Sequence, residues 1–64
     1  MKRIDKFLYD IKLDKRIVGD SGDMEFDTEE EARADANKFI RDELSKEYNR
    51  KIIDFKILLY KAFI

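Results

Sequence analysis

The segment Lys51-Ile52-Ile53-Asp54-Phe55-Lys56-Ile57-Leu58-Leu59-Tyr60-Lys61-Ala62-Phe63-Ile64 decides the fold. Ile52, Ile53, Phe55, Ile57 and Tyr60 are β-formers, so a strand over 51–63 is expected. Successive side chains of a strand point to opposite faces. The odd positions give Ile53, Phe55, Ile57, Leu59 and Phe63, interrupted only by Lys61. The even positions give Ile52, Asp54, Lys56 and then Leu58, Tyr60, Ala62 and Ile64. One face is therefore apolar along its length, and the other becomes apolar from Leu58 onward.

The residues upstream offer a single helix to cover such a strand. Thr28 followed by Glu31 forms a capping-box pattern, and Glu29, Glu30 and Glu31 occupy a first turn where the helix dipole favours negative charge. Ala32, Ala36, Phe39, Ile40, Leu44 and Tyr48 make the apolar stripe, and Asn49 is a plausible stop, so the helix is expected over 28–48. Glu43 and Glu47 fall inside the arc of that stripe at about 100° per residue. Either the helix end tips away and leaves them at a wet rim, or one of them reaches a Lys or Arg of a neighbouring strand or subunit.

Further upstream, Phe7, Tyr9, Ile11 and Leu13 alternate with Asp10 and Lys12, which reads as a strand. A helical stripe through Ile4, Phe7, Leu8 and Ile11 competes, but the alternation continues to Leu13 and favours the strand. Ile17 and Val18 extend it or begin a second one, giving a strand region over 5–18. Gly19-Asp20-Ser21-Gly22-Asp23 holds both glycines of the chain and reads as its clearest turn, and Met24-Glu25-Phe26 as a short strand returning antiparallel to the first. The expected fold class is α+β: one small ββαβ domain over 1–64, an antiparallel hairpin plus a C-terminal strand, with one helix packed on one face of the sheet.

One helix covers one face of a sheet. Leu58, Tyr60, Ala62 and Ile64 then need another cover, unless a bulge breaks the alternation or the tail folds back. Exposed apolar patches of this kind mark interaction surfaces. A homodimer or a protein partner docking on these four residues is the expectation. Size points the same way, because a chain of 64 residues buries a small core and usually gains a disulfide, a metal or a second subunit. The chain has no Cys and no His. Disulfides, thiolate sites and the commonest metal ligand are thereby removed, and the second subunit is left.

Charged residues form 45% of the chain and nearly cancel, at net −1. With 44% apolar residues, this is not the composition of a disordered chain, nor that of a dedicated nucleic-acid binder. The charge is blocked. Residues 1–18 and 32–64 each carry net +3, whereas residues 19–31 carry seven acidic groups and no basic one. Asp20, Asp23, Glu25, Asp27, Glu29 and Glu30 are a second, weaker candidate surface, for a basic partner. Their spacing does not follow an EF-hand loop, so no metal is expected. A nucleic-acid-binding alternative would use Lys2, Arg3, Lys6, Lys15, Arg16, Arg33, Lys38 and Arg41, with Tyr9, Tyr48 and Tyr60 stacking on bases.

No phosphate-binding glycine loop is present, and a chain of this size is ill suited to shaping an enzyme pocket, so no catalysis and no cofactor are expected. No apolar run approaches the roughly 20 residues of a membrane span, and no signal-peptide core follows the basic N-terminus. A cytoplasmic protein is expected.

Three short resemblances accompany this reading. Gly19-Asp20-Ser21-Gly22 resembles part of the nucleophile signature of trypsin-like serine proteases over four residues, but their chemistry needs a His base that this chain lacks. Phe26-Asp27-Thr28-Glu29-Glu30-Glu31-Ala32 resembles the strand-to-helix junction in the arm-binding domains of tyrosine integrases. Its acidic surroundings and strand order depart from that family, and no DNA contact carries over. In general style the chain resembles the small accessory proteins of bacteriophages and prophages: short, rich in Lys, Ile and Asp, and without Pro, Cys, His or Trp. That resemblance implies a protein that binds and blocks or adapts a larger complex, such as an inhibitor of a host enzyme or defence system.

Overall fold

A computed structural model describes residues 5–63, and of Phe63 the backbone only. Strand β1 (Asp5–Leu13) and strand β2 (Arg16–Asp20) form an antiparallel hairpin. A helical run follows: helix α1 (Glu29–Phe39), a π-helical turn (Ile40–Leu44) and helix α2 (Ser45–Tyr48). A 3-10 turn (Ile52–Asp54) leads into strand β3 (Phe55–Phe63). β3 lies antiparallel beside β1, so the sheet order is β2-β1-β3 and the architecture is a small α+β fold. Among the described residues no helix is long and apolar enough to cross a membrane.

The hairpin reverses earlier than the glycines suggest. Its turn is Asp14-Lys15, between the paired Leu13 and Arg16, with Asp14 at φ 58°. Asp tolerates this left-handed backbone better than most residues, so no glycine is needed. The strand region 5–18 thus divides at this turn, and Ile17 and Val18 belong to a second strand. Gly19 and Asp20 belong to β2 and not to the turn expected over 19–23. A Cβ on Gly19 would lie 3.0 Å from Phe39 and 3.3 Å from Leu44, so its missing side chain lets the helix approach the sheet. The second glycine does serve a turn. Gly22 has φ +60°, and its N–H donates to Asp20 Oδ1 at 2.9 Å.

The segment 24–26 is correspondingly less than a strand. Only Phe26 bridges to β1, exchanging backbone bonds of 2.8 and 3.1 Å with Phe7. The register of β1 against β2 shifts between Ile11 and Lys12, which pair with Gly19 and Ile17. Val18 is the extra residue of this bulge, and it packs against the core.

Thr28 caps α1 by accepting from the Glu31 N–H at 3.2 Å, a contact that stabilises a helix by about 1 kcal/mol. Asn49, at φ 52°, ends α2 in the left-handed conformation expected of a stop residue. Between them, the Ser45 N–H bonds Ile40 O, five residues back. That wider turn brings Ile40 and Leu44 nearly into line on the buried side and swings Glu43 outward. Glu43 and Glu47 are both exposed, and the wide turn is the reason that an ideal helical wheel misplaces Glu43.

The strand expected over 51–63 starts at Phe55, because the Asp54 N–H donates to Lys51 O at 3.0 Å and the Phe55 N–H to Ile52 O, a 3-10 turn that Asp54 Oδ2 caps by accepting from the Lys51 N–H at 3.2 Å. Arg50 clasps this corner to the hairpin, donating to Asp54 and Asp14 at 3.2 Å each. The core lies between sheet and helix: Tyr9, Ile11 and Leu13 from β1, Phe55 from β3, Phe26, and Ala32, Ala36, Ile40 and Leu44 from the helical run. Ala32 and Ala36 are fully buried, and their small size lets α1 pack closely against β1. Full burial of a side chain such as Ile11 or Ile40 contributes about 1.5–3 kcal/mol.

Candidate functional site

The pairing of β1 with β3 assigns each side chain to a face. Tyr9 lies opposite Leu59, Ile11 opposite Ile57 and Leu13 opposite Phe55. These odd positions face the helix. The even positions turn away from it: Leu8 lies opposite Tyr60, Asp10 opposite Leu58, Lys12 opposite Lys56 and Lys6 opposite Ala62. No described helix covers this second face.

Leu58 is 39% exposed and Tyr60 45%, although both sit in the middle of a regular nine-residue ladder. Ala62 and Leu8 are half-buried, and Ile17, paired with Lys12 on the far side of β1, is exposed. Three of the four residues singled out in the sequence, Leu58, Tyr60 and Ala62, therefore share one uncovered face. Ile64 lies outside the described residues. Leu8 joins them by standing directly beside Tyr60. Its even register was legible, but the strand-against-strand pairing was not. Partial burial, then the charges of Asp10 and Asp20, raise the Tyr60 hydroxyl pKa above its usual 10.0.

The acidic candidates are dispersed into separate local tasks. All six of Asp20, Asp23, Glu25, Asp27, Glu29 and Glu30 are exposed. Asp20 caps the Gly22 turn, Asp27 pairs with Lys6, and Glu29 and Glu30 occupy the first turn of α1. Among the described residues no three carboxylates come together in a way that could hold a metal ion.

The basic candidates also fail to converge. Arg33, Lys38 and Arg41 belong to the helical layer, whereas Lys6 lies on β1 and pairs with Asp27, Lys15 sits in the hairpin turn and Arg16 opens β2. Arg41 is engaged with Asp42, and Lys2 and Arg3 fall outside the described residues. Tyr9 is buried at 2% exposure, and Tyr48 is half-buried with its ring edge 6.5 Å from Phe55. Of the three tyrosines considered for base stacking, only Tyr60 is free to do so.

A cleft of about 320 Å³ opens between the helix and the loop after β2, with Tyr9, Ser21, Met24, Asp35, Lys38 and Phe39 in its lining. At its floor the Tyr9 hydroxyl donates to Asp35 Oδ2 at 2.7 Å, and the Tyr9 N–H donates to Ser21 Oγ at 3.3 Å. Burial above all, and then the Asp35 bond, push the Tyr9 pKa well above its ordinary 10.0. Its proton is held firmly, as in a structural tie between sheet and helix. Ser21, the serine of the protease-like tetrad, is a buried turn residue accepting a backbone hydrogen bond.

No family model, curated protein or solved structure was found to match this chain.

Proposed function

We propose that the protein is a non-catalytic protein-interaction module that docks a larger protein on the sheet face opposite its helix, and so blocks or adapts it. The observation that carries this reading is the exposure of Leu58 and Tyr60 in mid-sheet, beside Leu8 and Ala62. Apolar side chains in such a position lack the cover that the helix gives the other face. An exposed tyrosine beside leucines has the composition of an interface centre, where aromatic anchors dominate binding. The role fits the small phage accessory proteins that the sequence resembles in style, for which inhibition of a host enzyme or defence system is the implied mode.

The test is a tagged pull-down from lysate of the native host, with and without nuclease, run beside the double variant Leu58→Asp, Tyr60→Asp. Both side chains point away from the core, so the variant should keep its circular dichroism spectrum. A protein recovered in stoichiometric amount by the wild type, resistant to nuclease and lost with the variant, is the expected result. Recovery of nucleic acid, with proteins vanishing on nuclease treatment, would replace this reading with the nucleic-acid-binding one. In that case, binding should weaken steeply with salt.

A further inference from the structure

The sheet has two edges, and they differ. The β2 edge is five residues long, bulged at Val18 and continued by an irregular loop. Such features blunt an edge against pairing with other chains. The β3 edge is nine residues long and keeps an unbroken register against β1 from Phe55 to Phe63.

The direction of its free backbone groups follows from bonds elsewhere in the sheet. Phe7 exchanges both its backbone bonds with Phe26, and Tyr9 O accepts from the Ser21 N–H at 2.9 Å. Odd residues of β1 therefore point their backbone groups toward the β2 side. Alternation turns those of Lys6, Leu8, Asp10 and Lys12 toward β3, where they meet Ala62, Tyr60, Leu58 and Lys56. Ile57, Leu59 and Lys61 consequently aim their N–H and C=O groups outward. Among the described residues, the one backbone hydrogen bond of β3 shown outside the sheet ladder runs from the Phe55 N–H to Ile52 O, at the start of the strand, and it leaves Ile57, Leu59 and Lys61 untouched.

We propose that this edge pairs with the β3 edge of a second copy of the chain, antiparallel and centred on Leu59, to give a continuous six-stranded sheet. The strand is suited to itself. About Leu59, the rungs Leu59–Leu59, Leu58–Tyr60 and Phe55–Phe63 are apolar on both sides, and each lysine falls opposite an apolar residue. Centring there pairs the full length of the strand. It brings Leu59 level with its own counterpart, Ile57 level with Lys61, and Phe55 level with Phe63. Leu58 then stands opposite Tyr60, and Lys56 opposite Ala62. No two like charges meet, whereas centring on Lys61 would oppose two ammonium groups, which is destabilising. The contact is isologous and closes at two subunits. Both helices fall on one side, and on the other side two copies of Leu58, Tyr60 and Leu8 merge around the axis into a single apolar platform.

This inference deepens the docking reading and rests on it only for the use of that platform. The experiment is sedimentation equilibrium of wild type and Lys61→Pro at roughly 100 µM, above the micromolar Kd expected of a modest interface. Proline is tolerated on an edge strand where the N–H faces outward, as that of Lys61 does, and the Lys61 side chain is exposed. The wild type should sediment at twice the monomer mass, and Lys61→Pro as a monomer with an unchanged circular dichroism spectrum.

A second readout stands if Lys61→Pro does not fold. The chain has no Cys, so Leu58→Cys and Tyr60→Cys chains can be mixed and oxidised. Residues facing one another on a non-hydrogen-bonded rung are within disulfide reach. The mixed disulfide should form several-fold faster than either homodisulfide. A monomeric wild type, a folded Lys61→Pro that still dimerises, or equal disulfide rates would each overturn the proposal. A monomeric wild type or Lys61→Pro that still captures a protein would leave the docking reading intact.

Discussion

Ile11→Ala is expected to leave a large fraction of the molecules unfolded at 37 °C. Ile11 is fully buried at the centre of β1, opposite Ile57 and in the same core as Ala32, Ala36 and Ile40. Truncating a core isoleucine to alanine costs about 2–5 kcal/mol, from lost burial plus the cavity left behind. A chain of 64 residues has about 3–10 kcal/mol of total stability at typical values per residue. The neighbouring rungs offer little compensation, because the close helix is carried on alanines that have no atoms to move into the void. Urea unfolding followed by circular dichroism measures the loss. Leu58→Ala, on the uncovered face of the same strand pair, is the internal control and should cost about 1 kcal/mol or less. Equal losses in the two variants would mean that the helix does not cover the odd face.

Tyr9→Phe is expected to weaken the fold by about 1–2 kcal/mol at neutral pH and to flatten its response to alkali. The substitution keeps the buried ring, stacked 6.1 Å from Phe26, and removes only the hydroxyl bonded to Asp35. A hydrogen bond to a carboxylate is stronger than a neutral one, and the half-buried Asp35 loses its partner. The pH dependence follows from the raised Tyr9 pKa. Between the unfolded value, near 10, and the higher folded value, the native state holds a proton that the unfolded chain has lost. Stability is therefore complete below pH 10 and falls as the pH rises through that window. The raised pKa of Lys6, which is paired with Asp27, pushes in the same direction, so some decline should persist in Tyr9→Phe. Urea midpoints measured between pH 8 and about pH 11 decide it. A wild-type curve no steeper than that of the variant would show that Tyr9 does not couple to folding.

What could be read from the sequence was whatever repeats with a period. The alternation of Tyr9, Ile11 and Leu13, the stripe of Ala32, Ala36, Ile40 and Leu44, and the two apolar faces of Phe55–Phe63 all reflect one choice: which side of an element meets the core. The Thr28 cap was legible because one side chain satisfies one backbone donor three residues away. The features that escaped are those in which local signals were overruled by contacts distant in sequence. The hairpin turns at Asp14-Lys15 without glycine, while Gly19, a typical turn residue, is used to admit Phe39. The Tyr9–Asp35 bond joins residues of two layers and has no spacing to betray it. The exposure of Glu43 was one of two outcomes left open by the helical wheel, which assumes a constant pitch that the π-helical turn does not keep. The docking residues fell between these cases. Their face was given by parity, but the position of Leu8 beside Tyr60 depended on register.

The antiparallel ladder of β1 with β3 has a mechanical consequence. Asp5 and Phe63 form its outermost rung, so both ends of the described chain leave the sheet side by side. Tension applied through those two points would load that end of the ladder first, on the bonded pair Lys6–Ala62 and then on Leu8–Tyr60. The bonds would break in succession, as in a zipper, instead of sharing the load in shear. Pulled by its ends, the molecule should yield at a force set by one or two rungs, however stable it is to heat or urea.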